Sequence, residues 1–347
     1  MIAFFQSPIF ANLAYIFASI LFIFGLKMLS SPETAQRGNI VSASGMLIAI
    51  LVTLAQNEII AYEYLLAALV AGLIVGVLAS SLVKMTSMPE LVALFNGFGG
   101  IASLLVGVAE YINPSSSTFI QLIAISFTVL IGGITFSGSL IAFGKLSGKI
   151  DGKVFKLPGG HGLNLAALVI SLLLGLLYFN GSGIWTIILM SILAGFIGWH
   201  LIMGIGGADM PVVVSMLNSY SGWAAAAIGF TLGNDLLIVT GALVGSSGAI
   251  LSYIMCKAMN RHFISVILGG FGSQVQTETE IEGEQVSIDA DGVASLLNDA
   301  DQVIIVPGYG MAVAQAQQTV SELTSRLRAK SKKVRFGIHP VAGRLPG

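Results

Sequence analysis

Long runs of apolar residues follow one another along the first 260 residues, separated by short polar or turn-forming segments. A helix needs about 20 such residues to cross a bilayer core of about 30 Å, and each run is close to that length. The pattern predicts nine membrane-spanning helices, at residues 8–29, 38–56, 63–83, 90–111, 119–143, 162–179, 183–203, 211–230 and 235–257. Pro, Gly, Asn and Ser mark the breaks between them.

Lysine and arginine are unevenly distributed among the loops of this nine-helix arrangement. They occur in alternate loops and after the last helix, whereas the N-terminus and the intervening loops have none. Cytoplasmic loops of membrane proteins collect these residues. We therefore expect the N-terminus outside and the C-terminal region in the cytoplasm.

Composition supports an integral membrane protein in contact with the lipid bilayer. The 347 residues are 55% hydrophobic and 10% charged, whereas soluble domains are about 25% charged. The single cysteine, Cys256, excludes an internal disulfide. A formal net charge of -1 gives no indication of a nucleic-acid partner, and we assign no metal site and no catalytic residue.

The segment 204–227 departs from this apolar pattern because it carries acid, amide, hydroxyl and aromatic groups within a predicted span. Two interpretations stay open: the polar groups line a path for an ion or proton, or they join helices through hydrogen bonds. Glycines in the last span, at Gly245 and Gly248, leave a similar choice between close helix packing and a hinge.

Beyond Phe271 the chain changes character. Residues 261–290 form a predicted acidic linker, since six carboxylates and no basic residue lie between Gly272 and Gly292. A β-branched run at Val303–Val306, a glycine turn, a helix at 311–328 and a strand at 334–338 then predict one βαβ unit. The fold class is therefore a membrane all-α domain at 1–260 followed by an incomplete α/β Rossmann-like domain at 291–347.

The turn of this βαβ unit has the spacing of a dinucleotide site. Gly308, Gly310 and Val313 follow a strand and open a helix, where missing side chains let the backbone approach a pyrophosphate. Arg344 follows the second strand and is suited to pairing with a phosphate. The alternatives are a tight turn without ligand and a surface arginine.

Several long runs make the chain resemble the β subunit of the proton-translocating NAD(P) transhydrogenases over essentially its whole length. They are Met88-Pro89-Glu90-Leu91-Val92-Ala93, Gly206-Gly207-Ala208-Asp209-Met210-Pro211 through Gly222-Trp223, Thr240 to Ile250, Pro307-Gly308-Tyr309-Gly310-Met311-Ala312-Val313-Ala314, and Arg335 to Arg344. The resemblance implies Re/Si-specific hydride transfer between NAD(H), held by an α subunit with its own membrane helices, and NADP(H), held by the C-terminal domain of this chain. It further implies coupling to proton translocation in a bacterial-type inner membrane, with two α–β units forming a dimer.

The resemblance assigns roles to individual residues. NADP(H) contacts are expected at Gly308, Tyr309, Gly310, Val313, Val341, Ala342, Gly343 and Arg344. The family's NADP domain continues beyond Gly347, so we expect the 347-residue chain alone to bind NADP(H) weakly and to be inactive without its partner. Asp209, Lys257 and Arg261 are expected to couple the membrane helices to that domain; snorkelling of the two basic residues is the alternative.

The proton pathway implied by the resemblance runs past Asn96, Ser139 and Asn218. Some family members have a histidine where this chain has Asn96, and an amide cannot titrate. No histidine of this chain lies at the middle of a predicted span, so we expect a partner helix to supply one beside Asn96 and Asn218.

Two other functions fit the same helices. A secondary transporter with a regulatory tail would use glycine-rich helices with a polar midsection, although no inverted repeat is visible. A nonenzymatic membrane scaffold is the other alternative.

Overall fold

The computed structural model describes residues 7–55, 62–83, 87–112, 118–179, 181–259, 262–267, 287–308, 311 and 316–338. The chain divides into two units, one of residues 1–255 and 266–269, the other of residues 256–265 and 270–347.

Long helices make up the first unit. They are α1 (Pro8–Leu29), α2 (Pro32–Ala55), α3 (Tyr62–Leu82), α4 (Met88–Ile112), α5 (Phe119–Leu146), α6 (Gly160–Phe179), α7 (Trp185–Met203), α8 (Met210–Leu232) and α9 (Asp235–Ala258). A single 3-10 turn, Gly207–Asp209, leads into α8, and a five-residue helix, α10 (Phe263–Ile267), follows α9.

The observed helices match the predicted spans in order, with shifted ends. α2 begins six residues before the predicted start, because Pro32 suits the first turn of a helix, where its missing N–H is not needed. The Ser31 hydroxyl donates to the Glu33 carboxylate at 3.1 Å beside that start. The first turns of α2 are polar, so a prediction based on apolar runs did not include residues 32–37.

The prediction of nine membrane spans is confirmed only for eight helices. Among the described residues, eight helices are long and apolar enough to cross a membrane, and α8 is not one of them. α8 has 23 residues, which is sufficient length, but its polar residues lower its hydropathy. Its surroundings give the reason, since many of its residues are buried against other helices and do not need to be soluble in lipid.

Helix α5 lies at the centre of the first unit. It packs on α4, α7 and α8, and its buried residues include Thr135, Gly138 and Ser139. Glycines allow the close approach: a Cβ added at Gly100 of α4 would lie 2.7 Å from the backbone nitrogen of Phe136. By contrast, α3 has no buried residue, so its apolar side chains face outward.

Helices α8 and α9 are in backbone contact along glycines. A Cβ at Gly248 would lie 2.9 Å from the Ser219 nitrogen, and one at Gly229 would lie 2.6 Å from the Ile238 nitrogen. Because α9 is one continuous helix through Gly245 and Gly248, the structure favours helix packing over a hinge at these glycines.

The second unit contains α11 (Ala290–Asp299), β1 (Gln302–Ile305), α12 (Gln317–Ala329) and β2 (Lys333–Phe336). The two strands are parallel, with Val303 opposite Val334, and α12 packs on β2. The predicted strand–helix–strand order is confirmed. A Rossmann-like domain is not confirmed, because the described residues form only a two-stranded sheet.

Candidate functional site

A chain of polar side chains connects three helices of the first unit. The Asn96 amide of α4 donates to the hydroxyl of Ser139 on α5 at 3.0 Å. The Ser221 hydroxyl of α8 donates to the Asn96 carbonyl oxygen at 2.8 Å. Ser139 is fully buried, so this hydrogen-bonded group reaches from the centre of the unit toward α8.

Glycine spacing on α4 explains why Asn96 reaches α5. A Cβ at Gly97 would lie 3.1 Å from the Ser139 Cβ, so the absent side chain keeps the two helices close beside Asn96. Gly100, one turn further, continues the same contact with α5. The polar group thus lies at a tight crossing of two helices.

The three side chains of this group can orient hydrogen bonds but cannot store a proton. Amides and hydroxyls accept and donate hydrogen bonds, but none of the three side chains titrates near neutral pH. The carboxylates of α4 lie toward its ends: Glu90 is six residues from Asn96, about 9 Å along the helix. A proton passing here therefore needs a titrating group from outside this trio.

Asn218, predicted to join Asn96 and Ser139, lies elsewhere on α8. Its side chain is exposed on the outer face of the unit. Ser221, one turn further along α8, makes the contact with Asn96 instead. Ser221 belongs to the polar segment 204–227, but the pathway residues implied by the resemblance do not include it.

Other polar residues of α8 join helices. The Ser215 hydroxyl donates to the Gly248 carbonyl at 3.2 Å, and the Ser219 hydroxyl donates to the Gly245 carbonyl at 2.5 Å. The structure therefore supports the interpretation that these polar groups join helices, because 215 and 219 join α8 to α9 and 221 joins α8 to α4. The interpretation as a path for an ion or proton stays a prediction.

His200, in the last turn of α7, is buried and has both ring nitrogens in hydrogen bonds. The Leu157 backbone N–H donates to Nε2 at 3.3 Å, so the ring proton is on Nδ1, which lies 2.7 Å from the Asn164 side-chain oxygen. The imidazole fixes the loop before α6 to the end of α7. We assign it a structural role.

Two of the three residues predicted to couple the two units are among the described residues. Asp209 ends the 3-10 turn and occupies the N-cap position of α8 without a side-chain capping hydrogen bond, and one of its carboxylate oxygens is buried. Lys257 lies near the end of α9, in the second unit. Arg261 lies outside the described residues, so the coupling of these three residues stays a prediction.

The predicted nucleotide turn is described only in part. Gly308 follows β1, its carbonyl accepts from the Met311 N–H at 3.1 Å, and nothing lies within 4 Å of an added Cβ. The other predicted contacts, Tyr309, Gly310, Val313, Val341, Ala342, Gly343 and Arg344, lie outside the described residues. What is described is a glycine at the carboxyl end of a parallel strand, where open α/β sheets bind ligands.

Comparison with known proteins bears on both units. Residues 11–347 match the model of the family described as NAD(P) transhydrogenase beta subunit. The NAD(P) transhydrogenase subunit beta of Rhodospirillum rubrum is 49% identical over 346 residues, covering 96% of this chain and 75% of the relative. A second Rhodospirillum rubrum protein of the same name matches with equal identity and coverage.

The chain belongs to the NAD(P) transhydrogenase beta subunit family. It is a membrane subunit of an oxidoreductase complex, and a β subunit implies an α subunit as its partner. The family binds NADP(H), and the long apolar helices agree with a multi-pass membrane protein. The transporter and scaffold alternatives are not favoured.

Proposed function

We propose that this chain conducts protons past Asn96, Ser139 and Ser221 and couples their passage to hydride transfer between NAD(H) and NADP(H). The observation that carries the proposal is the hydrogen-bonded group joining α4, α5 and α8. A side chain that both donates and accepts, as Asn96 does here, can orient water molecules along a pathway. Family membership supplies the reaction to which this passage is coupled.

The titrating group comes from the α subunit. Asn218 of α8 is exposed. An added Cβ at Gly99 of α4 would meet nothing within 4 Å, so there is open space beside α4 at this glycine. An amide facing hydrocarbon is costly, so the exposed Asn218 amide supports the presence of a partner helix that gives it a hydrogen bond. Histidine suits the role because its ordinary pKa is near 6.5.

The C-terminal unit holds NADP(H), and the α subunit holds NAD(H). The pyrophosphate lies at the turn of Gly308, Tyr309, Gly310 and Val313, with the segment 341–344 beside it. The support is the parallel β1–β2 pair: Gly308 follows β1 at the carboxyl edge of this sheet, the edge at which open α/β sheets bind ligands. Two α–β units form the complex, hydride transfer is Re/Si-specific, and the C-terminal unit faces the cytoplasm of a bacterial-type inner membrane. Asp209, Lys257 and Arg261 transmit between the units.

Proton translocation by the complete α–β complex in sealed vesicles tests the proposal. Asn96→Leu removes two hydrogen bonds worth roughly 0.6–2 kcal/mol each. Because about 1.4 kcal/mol changes a rate tenfold, coupled proton flux is expected to fall about tenfold or more. Ser44→Ala is the matched control, since this exposed serine of α2 bonds only within its own helix in the described contacts. Unchanged proton flux in Asn96→Leu would refute the pathway.

The same vesicles test the partner and the nucleotide. Replacing each membrane histidine of the α subunit with alanine is expected to identify one that abolishes pumping; survival of pumping in every variant contradicts the shared site. Gly310→Val is expected to abolish NADP(H) binding, because a branched side chain would occupy the place of the pyrophosphate.

A further inference from the structure

A buried lysine lies at the end of α5, outside the Asn96 group. Lys145 is 1% exposed and has the largest fully buried side chain among the described residues. A buried ammonium is costly unless hydrogen bonds satisfy it. Its place near the core therefore requires a structural or functional reason.

The Lys145 ammonium donates hydrogen bonds to backbone carbonyl groups of three segments. Nζ donates to the carbonyls of Lys153 at 3.2 Å, Met203 at 2.9 Å and Ile205 at 2.7 Å. These carbonyls belong to the loop after α5, the last residue of α7, and the turn before α8. An ammonium has three N–H donors, and a positive charge at the end of α7 also compensates its unpaired carbonyls.

Backbone hydrogen bonds complete the same junction. The Phe155 N–H donates to the Met203 carbonyl at 2.9 Å, and the Gly207 N–H donates to the Gly152 carbonyl at 3.0 Å. These two hydrogen bonds hold the loop 147–159 against the segment that leads into α8. Lys145 joins this layer to α5, and the Lys149 ammonium, 5.1 Å from the centre of the Phe143 ring, adds a second contact between the loop and α5.

Next to these hydrogen bonds, the first turns of α8 pack into a hydrophobic cluster with α5 and α4. Met210 and Val213 of α8 are fully buried and cluster with Ala142 of α5 and Ala93 of α4. Ala142 is one turn from Lys145 and one turn from Ser139, so Lys145 and Ser139 are about 9 Å apart along α5. The start of α8 is therefore held against the same stretch of α5 that carries Ser139.

We propose that Lys145 is a positioning residue that fixes α8 relative to α5, and thereby keeps Ser221 in contact with Asn96. The loop 147–159 and the 204–209 turn then move with α8 as one body, since both are tied to the same ammonium. This inference rests on the proposed pathway. It adds a residue that acts through α8 and does not itself touch the proton.

The test compares protons translocated per hydride transferred in vesicles containing the complete α–β complex. Lys145→Met keeps an unbranched side chain that is only one atom shorter and removes its donors. We expect its hydride transfer to persist while the proton-to-hydride ratio falls about fivefold or more, the lower end of typical coupling effects. Lys145→Arg, which keeps a charged donor group, should restore most of the ratio.

Lys153→Met is the matched control, because its side chain is 88% exposed and its backbone carbonyl stays available to Lys145. A wild-type ratio in Lys145→Met overturns the inference. If Lys145→Met does not assemble, Lys145→Gln decides: a reduced ratio supports the inference and an unchanged ratio overturns it. A wild-type complex that transfers hydride without moving protons would instead refute the proposed function, so the two failures are distinguishable.

Discussion

Replacement of Gly222 by alanine tests the close contact of α8 with α9. A Cβ built at Gly222 lies 2.7 Å from the Gly245 Cα and 2.9 Å from the Gly241 carbonyl oxygen, with the Gly245 nitrogen closer still. Ordinary contact begins at about 3.4 Å. All three obstacles are backbone atoms, so the helices must separate by about 1 Å, since no side chain can rotate away.

The size of the effect follows from two losses. Overpacking of this kind costs about 1–3 kcal/mol. Separation also lengthens the hydrogen bond from Ser219 to the Gly245 carbonyl, and an intramembrane hydrogen bond is worth roughly 0.6–2 kcal/mol. We expect Gly222→Ala to lower the free energy of unfolding by about 2–4 kcal/mol.

Unfolding of the purified complex in detergent, followed by circular dichroism against temperature, measures this loss. Gly72→Ala is the control, because Gly72 is inside α3 and an added Cβ meets nothing within 4 Å. Alanine there should be neutral or should stabilise the helix by up to about 1 kcal/mol. If Gly222→Ala unfolds at the wild-type midpoint, the α8–α9 contact is not as close as the structure places it.

Two further predictions concern the histidine at the end of α7 and the membrane orientation. His200→Phe should keep the ring stacking on Phe196 but lose the bonds to Leu157 and Asn164, costing about 1–3 kcal/mol for the polar groups left unpaired. The same unfolding assay measures this loss of stability. His262→Phe is the control, because His262 is exposed. Equal stability of the two variants would contradict the structural role of His200. Reporter fusions should show an N-terminal tag accessible only from outside, as the lysine and arginine distribution predicts, and a tag reached only from the cytoplasm refutes that orientation.

The order of helices was predictable because hydropathy reports local sequence. Nine apolar segments were predicted as spans, and nine long helices occur in the predicted order with shifted ends; eight of them are long and apolar enough to cross a membrane. The start of α2 was missed because Glu33 and Arg37 belong to a helix but not to an apolar run. α8 fell below the hydropathy of a lipid-exposed span, and most of its residues are buried against neighbouring helices.

The candidate site was predictable by segment but not by side chain. The polar residues of 204–227 and Asn96 were identifiable because polar groups in apolar spans are costly. Which residues meet Asn96 depends on the rotation of α8 about its axis, and three residues along a helix separate Asn218 on the surface from Ser221 at the contact. That rotation is set by glycine contacts on both sides of α8 and not by α8 alone.

The sequence by itself determined the membrane class, the helix order, the βαβ order of the second unit and the family resemblance, because each depends on residues close together in the chain. Only the tertiary structure decided that Asn96, Ser139 and Ser221 form one hydrogen-bonded group. It alone placed Lys145 among the carbonyls of Lys153, Met203 and Ile205. These contacts join residues 8 to 125 positions apart, and their geometry arises from helix packing, which local patterns of polarity do not specify.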